Sequence, residues 1–341
     1  MSTLFLDRRG SRLELEGGHL RISLPEEGER SAETRRFPLG LIERIVLVAR
    51  TELDSSTLAA LSEAGVALVA FGGRRGERSA VLDGAPHRDA GLRIAQILAY
   101  SQPALRARLA RVVVLAKLRA SQRTLRHILA CRPDLRKPLH DARLSLGSLR
   151  EQLRSEPECD LARSRGFEGA AARCYFPALF AAFPPELGAQ RRRRRPPPDP
   201  ANAVLSLAYT LATAQAAQAA RGVGFDPAVG FLHAPEHGRP ALACDLVEPL
   251  RPTIDAWVWR LFAERTLRAE HFGRDGAGAC LLGKAGRAHF YQAWAELSPA
   301  LERRCRAQCR RLARWLRQRI PLPSEFDNGL HPDDPSEEAL A

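Results

Sequence analysis

The chain has almost no lysine. Only Lys117, Lys137 and Lys284 occur in 341 residues, so nearly all of its 52 basic side chains are arginine. A GC-rich genome produces the same bias, so the choice of arginine carries little weight. The surplus of positive charge carries more: 52 basic against 39 acidic residues leaves +13 and a pI near 10.3, which points to a polyanionic partner. An anionic membrane is the competing polyanion. No stretch is long and apolar enough to span a bilayer, however, and the opening MSTLFLDRRG does not read as a signal peptide. No Walker loop is present, so nucleotide hydrolysis is not expected. The seven cysteines are scattered and odd in number, which argues against a disulfide framework and for free thiols in a reducing compartment. Cys305 and Cys309, one helical turn apart without a second ligand pair nearby, read as packing residues. The expectation is a cytoplasmic protein that does not engage membranes.

What is present suggests two domains of α+β class. Apolar residues at 45% and charged residues at 27% are ordinary for a soluble globular chain, and the length exceeds one small domain. Residues 1–83 read as a β-rich domain. TLFLD, RLELE and HLRISL are short runs of β-prone residues, with Gly17-Gly18 as a two-residue hairpin turn between the second and third. RRFPL, LIERIVLVA and VALVAFGG follow, the last without a polar face and so expected to be covered on both sides. Between these two, DSSTLAALSEAG predicts a short helix with Asp54 or Ser55 as N-cap and Gly65 at its end. DGAPHRDAG marks the boundary. From residue 92 the period is helical, and the all-α domain runs to about residue 320. The last residues, 321–341, are acidic and proline-rich and predict a disordered tail.

Three stretches of the helical half stand out. Glu168 lies between Gly166 and Gly169 in SRGFEGAAARCYFP. Glycine costs about 1 kcal/mol relative to alanine inside a helix, so the pair predicts a close backbone approach by another helix or a ligand; the alternative is a surface acid paired with Arg165 or Arg173. RRRRRPPPDP at 191–200 is a stiff, exposed loop that is either simply solvated or neutralises phosphates. The third stretch, GFLHAPEHGRPALACDLVEPLRPTID, sets His233 near Asp245, Glu248 and Asp255. On one continuous helix the three acids share a face, and an imidazole with clustered carboxylates suits Mg²⁺ or Mn²⁺. Asp245-x-x-Glu248 is equally a capping box. HAPEH at 233–237 matches a zinc-protease pattern, but Pro235 breaks the helix that pattern requires. On the first long helix Arg106, Arg108, Arg111, Lys117, Arg119, Arg123 and Arg126 fill the face opposite an apolar stripe, either solvated or against phosphate.

Four blocks in order, GFEGAAARCYF, RRPPPDPANAVLSLAYTLA, GFDPAVGFLH and LACDLVEPLRPTID, resemble the CRISPR-associated endonuclease that acts as the spacer-acquisition integrase. With the β-rich N-terminal part, the resemblance covers nearly the whole chain to about residue 320. It implies a homodimer and a divalent metal held by Glu168, His233 and Glu248, with Asp245 as an auxiliary catalytic acid. It further implies phosphodiester transfer on double-stranded DNA and a separate small ferredoxin-like CRISPR adaptation protein as partner. Cys244, where the family more often has an aliphatic residue, and the length of the arginine run depart from the pattern without touching a proposed ligand. A DNA-binding scaffold without activity is the alternative.

Overall fold

In the N-terminal residues the alternation of side chains decides the architecture. In HLRISL, Leu20 and Ile22 turn inward while Arg21 and Ser23 turn out, the period-two signature of a strand with one buried face. The computed structural model describes residues 2–27, 31–72, 78–82, 90–193, 196–276 and 278–321. One four-stranded sheet has the order β4 (Glu33–Pro38), β3 (His19–Leu24), β2 (Ser11–Glu16), β6 (Thr51–Leu53). The other runs β1 (Ser2–Leu6), β5 (Ile42–Leu47), β7 (Ala67–Gly72), β8 (Arg78–Leu82). Gly17 and Gly18 turn β2 into β3 with φ of 54° and 77°, the positive pair that a type I′ hairpin demands. Helix α1 (Ser55–Glu63) starts where Asp54 accepts the Thr57 amide at 2.7 Å and is followed by Gly65 at φ 69°. One cluster joins Leu13, Leu20 and Ile22 of the first sheet to Leu6, Ile45, Leu47 and Leu68 of the second and Leu61 of α1. Each such side chain contributes about 1.5–3 kcal/mol by leaving water.

Strands β6 and β8 were not anticipated from the sequence; the three residues of β6 are too few to show alternation. Glu270–Asp275 and Leu281–Pro299 cluster with Met1–Pro86 rather than with the helices. They include β9 (Phe272–Arg274), which pairs with β10 (Cys280–Leu282) inside the stretch expected to be helical throughout. The expected boundary at 83–91 and the acidic tail lie almost wholly outside the described residues.

The second unit is built from helices: α2 (Ala90–Ser101), α3 (Pro103–Cys131), α4 (Arg136–Ser155), α5 (Leu161–Ala181), α6 (Pro200–Val223), α7 (Ala241–Val247), α8 (Arg251–Ala263) and the distal part of α9 (Lys284–Arg319). Helix α3 packs on α4, α5 and α8 through Val114, Leu118, Leu125 and Ile128. Helix α6 begins at Asp199, which accepts the Asn202 amide at 2.8 Å, and has Pro200 in its first turn. Its alanines, Ala208, Ala212, Ala216 and Ala220 among them, are buried and let α7 and α8 come close. All seven cysteines are free, with Cys305 and Cys309 buried on α9. Among the described residues no helix is long and apolar enough to cross a membrane.

Candidate active site

The site is assembled around the non-helical segment that follows α6. Gly224, at φ 105°, ends the helix and reverses the chain. Gln96 of α2, fully buried, then clamps the turn: its amide donates to the carbonyls of Asp226 (2.9 Å) and Val229 (2.7 Å) and accepts from the Asp226 amide (2.9 Å). Arg106 of α3 donates to the Phe231 carbonyl at 3.1 Å, and Arg165 of α5 donates to the Leu232 carbonyl at 3.0 and 2.6 Å. Gly230 is where this segment presses on α7. A Cβ there would lie 2.6 Å from the carbonyl carbon of Ala241, a distance that only glycine avoids.

Asp245 holds the other side of the segment. Its Oδ2 accepts the amides of Phe231 (2.6 Å) and Leu232 (3.0 Å); its Oδ1 accepts the amide of His233 (3.0 Å) and faces His233 Nδ1 at 2.7 Å. This corrects the capping-box reading. Asp245 lies inside α7, whose N-cap position is Pro240, and its carboxylate serves residues 231–233 rather than its own helix. It also leaves Asp245 no free oxygen for an ion. Because an ionised carboxylate only accepts, His233 donates from Nδ1 to Asp245, which turns Nε2 toward Glu248 Oε1, 3.8 Å away.

Glu248 closes α7 and is only 3% exposed. Lys117 of α3 reaches between it and Glu168 of α5, with Nζ 2.6 Å from Glu248 Oε2 and 2.5 Å from Glu168 Oε1. The Lys117 ammonium is the partner of buried Oε2, which has no other donor among the described residues. Arg251 Nε stands 3.3 Å from Oε1. Burial pushes the Glu248 carboxyl up, but Arg251 and Lys117 outweigh it and hold the group at about 2. Burial likewise favours loss of the Lys117 proton, and the two carboxylates overcome it and raise its pKa. The site is a charged cluster at neutral pH.

Glu168, His233 and Glu248 are therefore gathered from α5, the α6–α7 segment and the end of α7, although 80 residues separate the first from the last by number. Among the described residues no group of three or more His, Cys, Asp or Glu side chains is placed to hold a metal ion; the positive charge between the two carboxylates is Lys117. Neither Gly166 nor Gly169 is needed for helix packing, since a Cβ would meet nothing within 4 Å at the first and only the tip of Arg173 at 3.8 Å at the second. The expected close approach by another helix is absent. Residues 234–240 are not helical, and Glu236 pairs with Arg239, so HAPEH forms no zinc-binding face.

Asp255 does not join the site. The chain breaks between Val247 and Arg251, so the helical phase is lost, and Asp255 is buried instead between Tyr175, which donates at 2.9 Å, and Tyr209, which also donates to it. Burial outweighs both hydroxyls and raises its carboxyl from 3.8 to about 6. A folded-state pKa above the unfolded one means the folded protein binds more protons between those values, so stability falls as pH rises through about 4 to 6. The loss is on the order of 2–3 kcal/mol. Urea denaturation of the wild type and Asp255→Asn at pH 4 and pH 7 checks it: the variant gains relative to the wild type at the higher pH. A gap independent of pH would contradict the assignment.

Sequence reasoning missed Lys117, Arg106 and Arg251. Lys117 and Arg106 read as part of a basic face of α3, yet Lys117 lies three residues after buried Val114 and four before buried Ser121. That phase points inward, and it is the signal that was available. Arg192, part of the run expected to be exposed, is tied to Asn202 Oδ1 (2.9 Å) and Ser206 Oγ (3.1 Å); Arg194 and Arg195 lie outside the described residues.

The profile of the family described as CRISPR associated protein Cas1 matches residues 4–296. The chain is 31% identical over 292 residues to the CRISPR-associated endonuclease Cas1 1 of Thermodesulfovibrio yellowstonii, covering 85% of this chain and 89% of that one. Its fold is similar to that of a casposase bound to integration product, with TM-score 0.79, 20% identity, and coverage of 97% and 94% of the two chains. It also resembles a Cas6-RT-Cas1–Cas2 complex (TM-score 0.74, 19% identity), covering 93% of this chain and 35% of the other. The chain belongs to the family of the CRISPR-associated protein Cas1.

Proposed function

We propose that this protein is a metal-dependent DNA nuclease and integrase of CRISPR adaptation, inserting spacers by transesterification with a DNA 3′-hydroxyl. The observation that carries this reading is the pairing of two carboxylates, Glu168 and Glu248, around one positive charge, with His233 Nε2 beside them. Carboxylate oxygens and an imidazole nitrogen are the donor set that Mg²⁺ or Mn²⁺ accepts. Glu168, His233 through Nε2, and Glu248 would hold the ion. When bound, it supplies neutralisation of phosphoryl oxygens and orientation of the attacking and leaving groups.

The rest belongs to the chain itself. Asp245 fixes the tautomer and direction of His233, and Arg251 keeps Glu248 ionised. The arginine surplus retains double-stranded DNA by its phosphates. Two joining events at separated positions call for two active sites, which a homodimer supplies. A complex containing Cas1 and Cas2 among the similar structures supports a bridging partner, the small ferredoxin-like adaptation protein.

The test is strand transfer of a duplex with 3′ overhangs into a supercoiled plasmid carrying a CRISPR repeat, in Mn²⁺. Wild type joins, and His233→Ala loses about a thousandfold or more in rate. Duplex binding by the wild type without any joining or cleavage would favour the scaffold.

A further inference from the structure

Lys117 occupies the place between Glu168 and Glu248 that the proposed function gives to a divalent ion. Its ammonium lies 2.5 Å from one carboxylate and 2.6 Å from the other, on a side chain only 13% exposed. Few lysines are this buried without a specific pairing, and this one pairs with two acids at once. Burying two like charges side by side is costly unless a cation separates them. The nearest other cation, Arg251, touches only Oε1 of Glu248, so within the described cluster nothing but Lys117 joins the two acids. No sequence feature of catalysis requires a lysine here; the electrostatics of the acid pair does.

We infer that Lys117 is a resident counter-ion of the active site, holding Glu168 and Glu248 assembled until a divalent cation takes its place, so that lysine and metal compete for the same carboxylate oxygens. The inference rests on the metal-site reading and extends it to what the site does before loading. Lys117 acts as a positioning residue: it keeps two acids from different helices at one spot, and its charge sets a threshold on metal uptake. Its single flexible stem makes it a displaceable cation, whereas the fixed fork of an arginine would bind bidentately and leave reluctantly. That explains a lysine in a chain that uses arginine almost everywhere else.

The experiment measures Mn²⁺ binding by electron paramagnetic resonance, and thermal unfolding in EDTA and in saturating Mn²⁺, for wild type, Lys117→Met and Lys117→Met with Glu168→Gln. Loss of the competing charge makes Lys117→Met bind Mn²⁺ about tenfold more tightly than wild type, the scale of a neighbouring-charge effect of one pKa unit. In EDTA the single variant melts lower than wild type, and saturating Mn²⁺ closes most of that gap. The double variant, with one acid neutralised, recovers melting temperature in EDTA, which keeps the test decisive if the single variant folds poorly. Unchanged or weaker Mn²⁺ binding by Lys117→Met overturns the competition while leaving the metal site standing. An equal melting loss in EDTA and in Mn²⁺, or no recovery in the double variant, overturns the counter-ion role. A wild type that takes up no Mn²⁺ overturns the metal-site reading and this inference with it.

Discussion

Asp245→Ala lowers the stability of the protein by about 3–6 kcal/mol, a large share of the total. The figure follows from what the carboxylate satisfies. Three consecutive amides, those of Phe231, Leu232 and His233, donate to it, and its side chain is 2% exposed. A buried donor left without an acceptor costs about 1–3 kcal/mol, and water reaching the vacated space relieves part of that. Against a total stability of about 5–15 kcal/mol, the loss is large. Asp245→Asn is milder in stability, because one oxygen still accepts. It brings an amide donor against backbone donors, however, and removes the charge that fixes the proton on His233 Nδ1. Strand transfer therefore falls steeply in Asp245→Asn even where urea denaturation shows a folded protein. Glu236→Ala, which breaks only the exposed pair with Arg239, serves as the control and changes neither quantity appreciably. An Asp245→Ala protein as stable as wild type would mean that the segment bearing His233 is held by Gln96, Arg106 and Arg165 alone.

The same residues show how far the sequence could be read. Strands β2 and β3 were legible because burial on one face forces alternation, and the α1 cap because Asp54 has one chemical reason to precede that run. His233, Asp245 and Glu248 were legible as a cluster because they fall within sixteen residues of chain. Their division of labour was not. Spacing placed Asp245, Glu248 and Asp255 on a common helical face, but that argument assumes an unbroken helix. The chain turns at Glu248–Leu250, with Pro252 in the first turn of α8, so Asp255 goes to a tyrosine-lined site and Asp245 to the backbone. Glu168 was noticed through its flanking glycines, although they are not there to admit a neighbouring helix. Lys117 escaped because a charged residue on a basic helix face looks solvated unless its phase is compared with the buried positions on either side. Long-range partners of this kind, 51 residues apart for Lys117 and Glu168, leave no local pattern.

If the arginine run retains DNA, its loss is separable from loss of catalysis, provided that Arg192 is left in place. Replacing all five of Arg191–Arg195 would confuse two effects, because Arg192 is bound to Asn202 and Ser206 and lies over the Tyr209 ring at 5.5 Å. Arg192→Ser is accordingly expected to cost stability, about 1–3 kcal/mol from orphaned partners. Serine at positions 191, 193, 194 and 195 with Arg192 kept leaves the melting temperature close to wild type. It weakens binding to every duplex sequence alike and flattens the salt dependence, by about 0.9 in the logarithmic slope for each phosphate no longer neutralised. If about six phosphates are neutralised in all, wild-type affinity drops on the order of a thousandfold between 50 and 200 mM salt, and the loop variant drops less. His233→Ala does the reverse: duplex affinity and salt slope stay near wild type while joining is abolished. On the proposed function, many weak charge interactions hold the nucleic acid, whereas the chemistry depends on a few groups held in place by Asp245 and Arg251. If the loop variant kept full affinity at every salt concentration, the run would be solvated surface and the DNA-retaining charge would lie elsewhere on the chain. If His233→Ala abolished binding together with joining while circular dichroism showed an intact fold, the site at Glu168, His233 and Glu248 would itself be part of the DNA-holding surface.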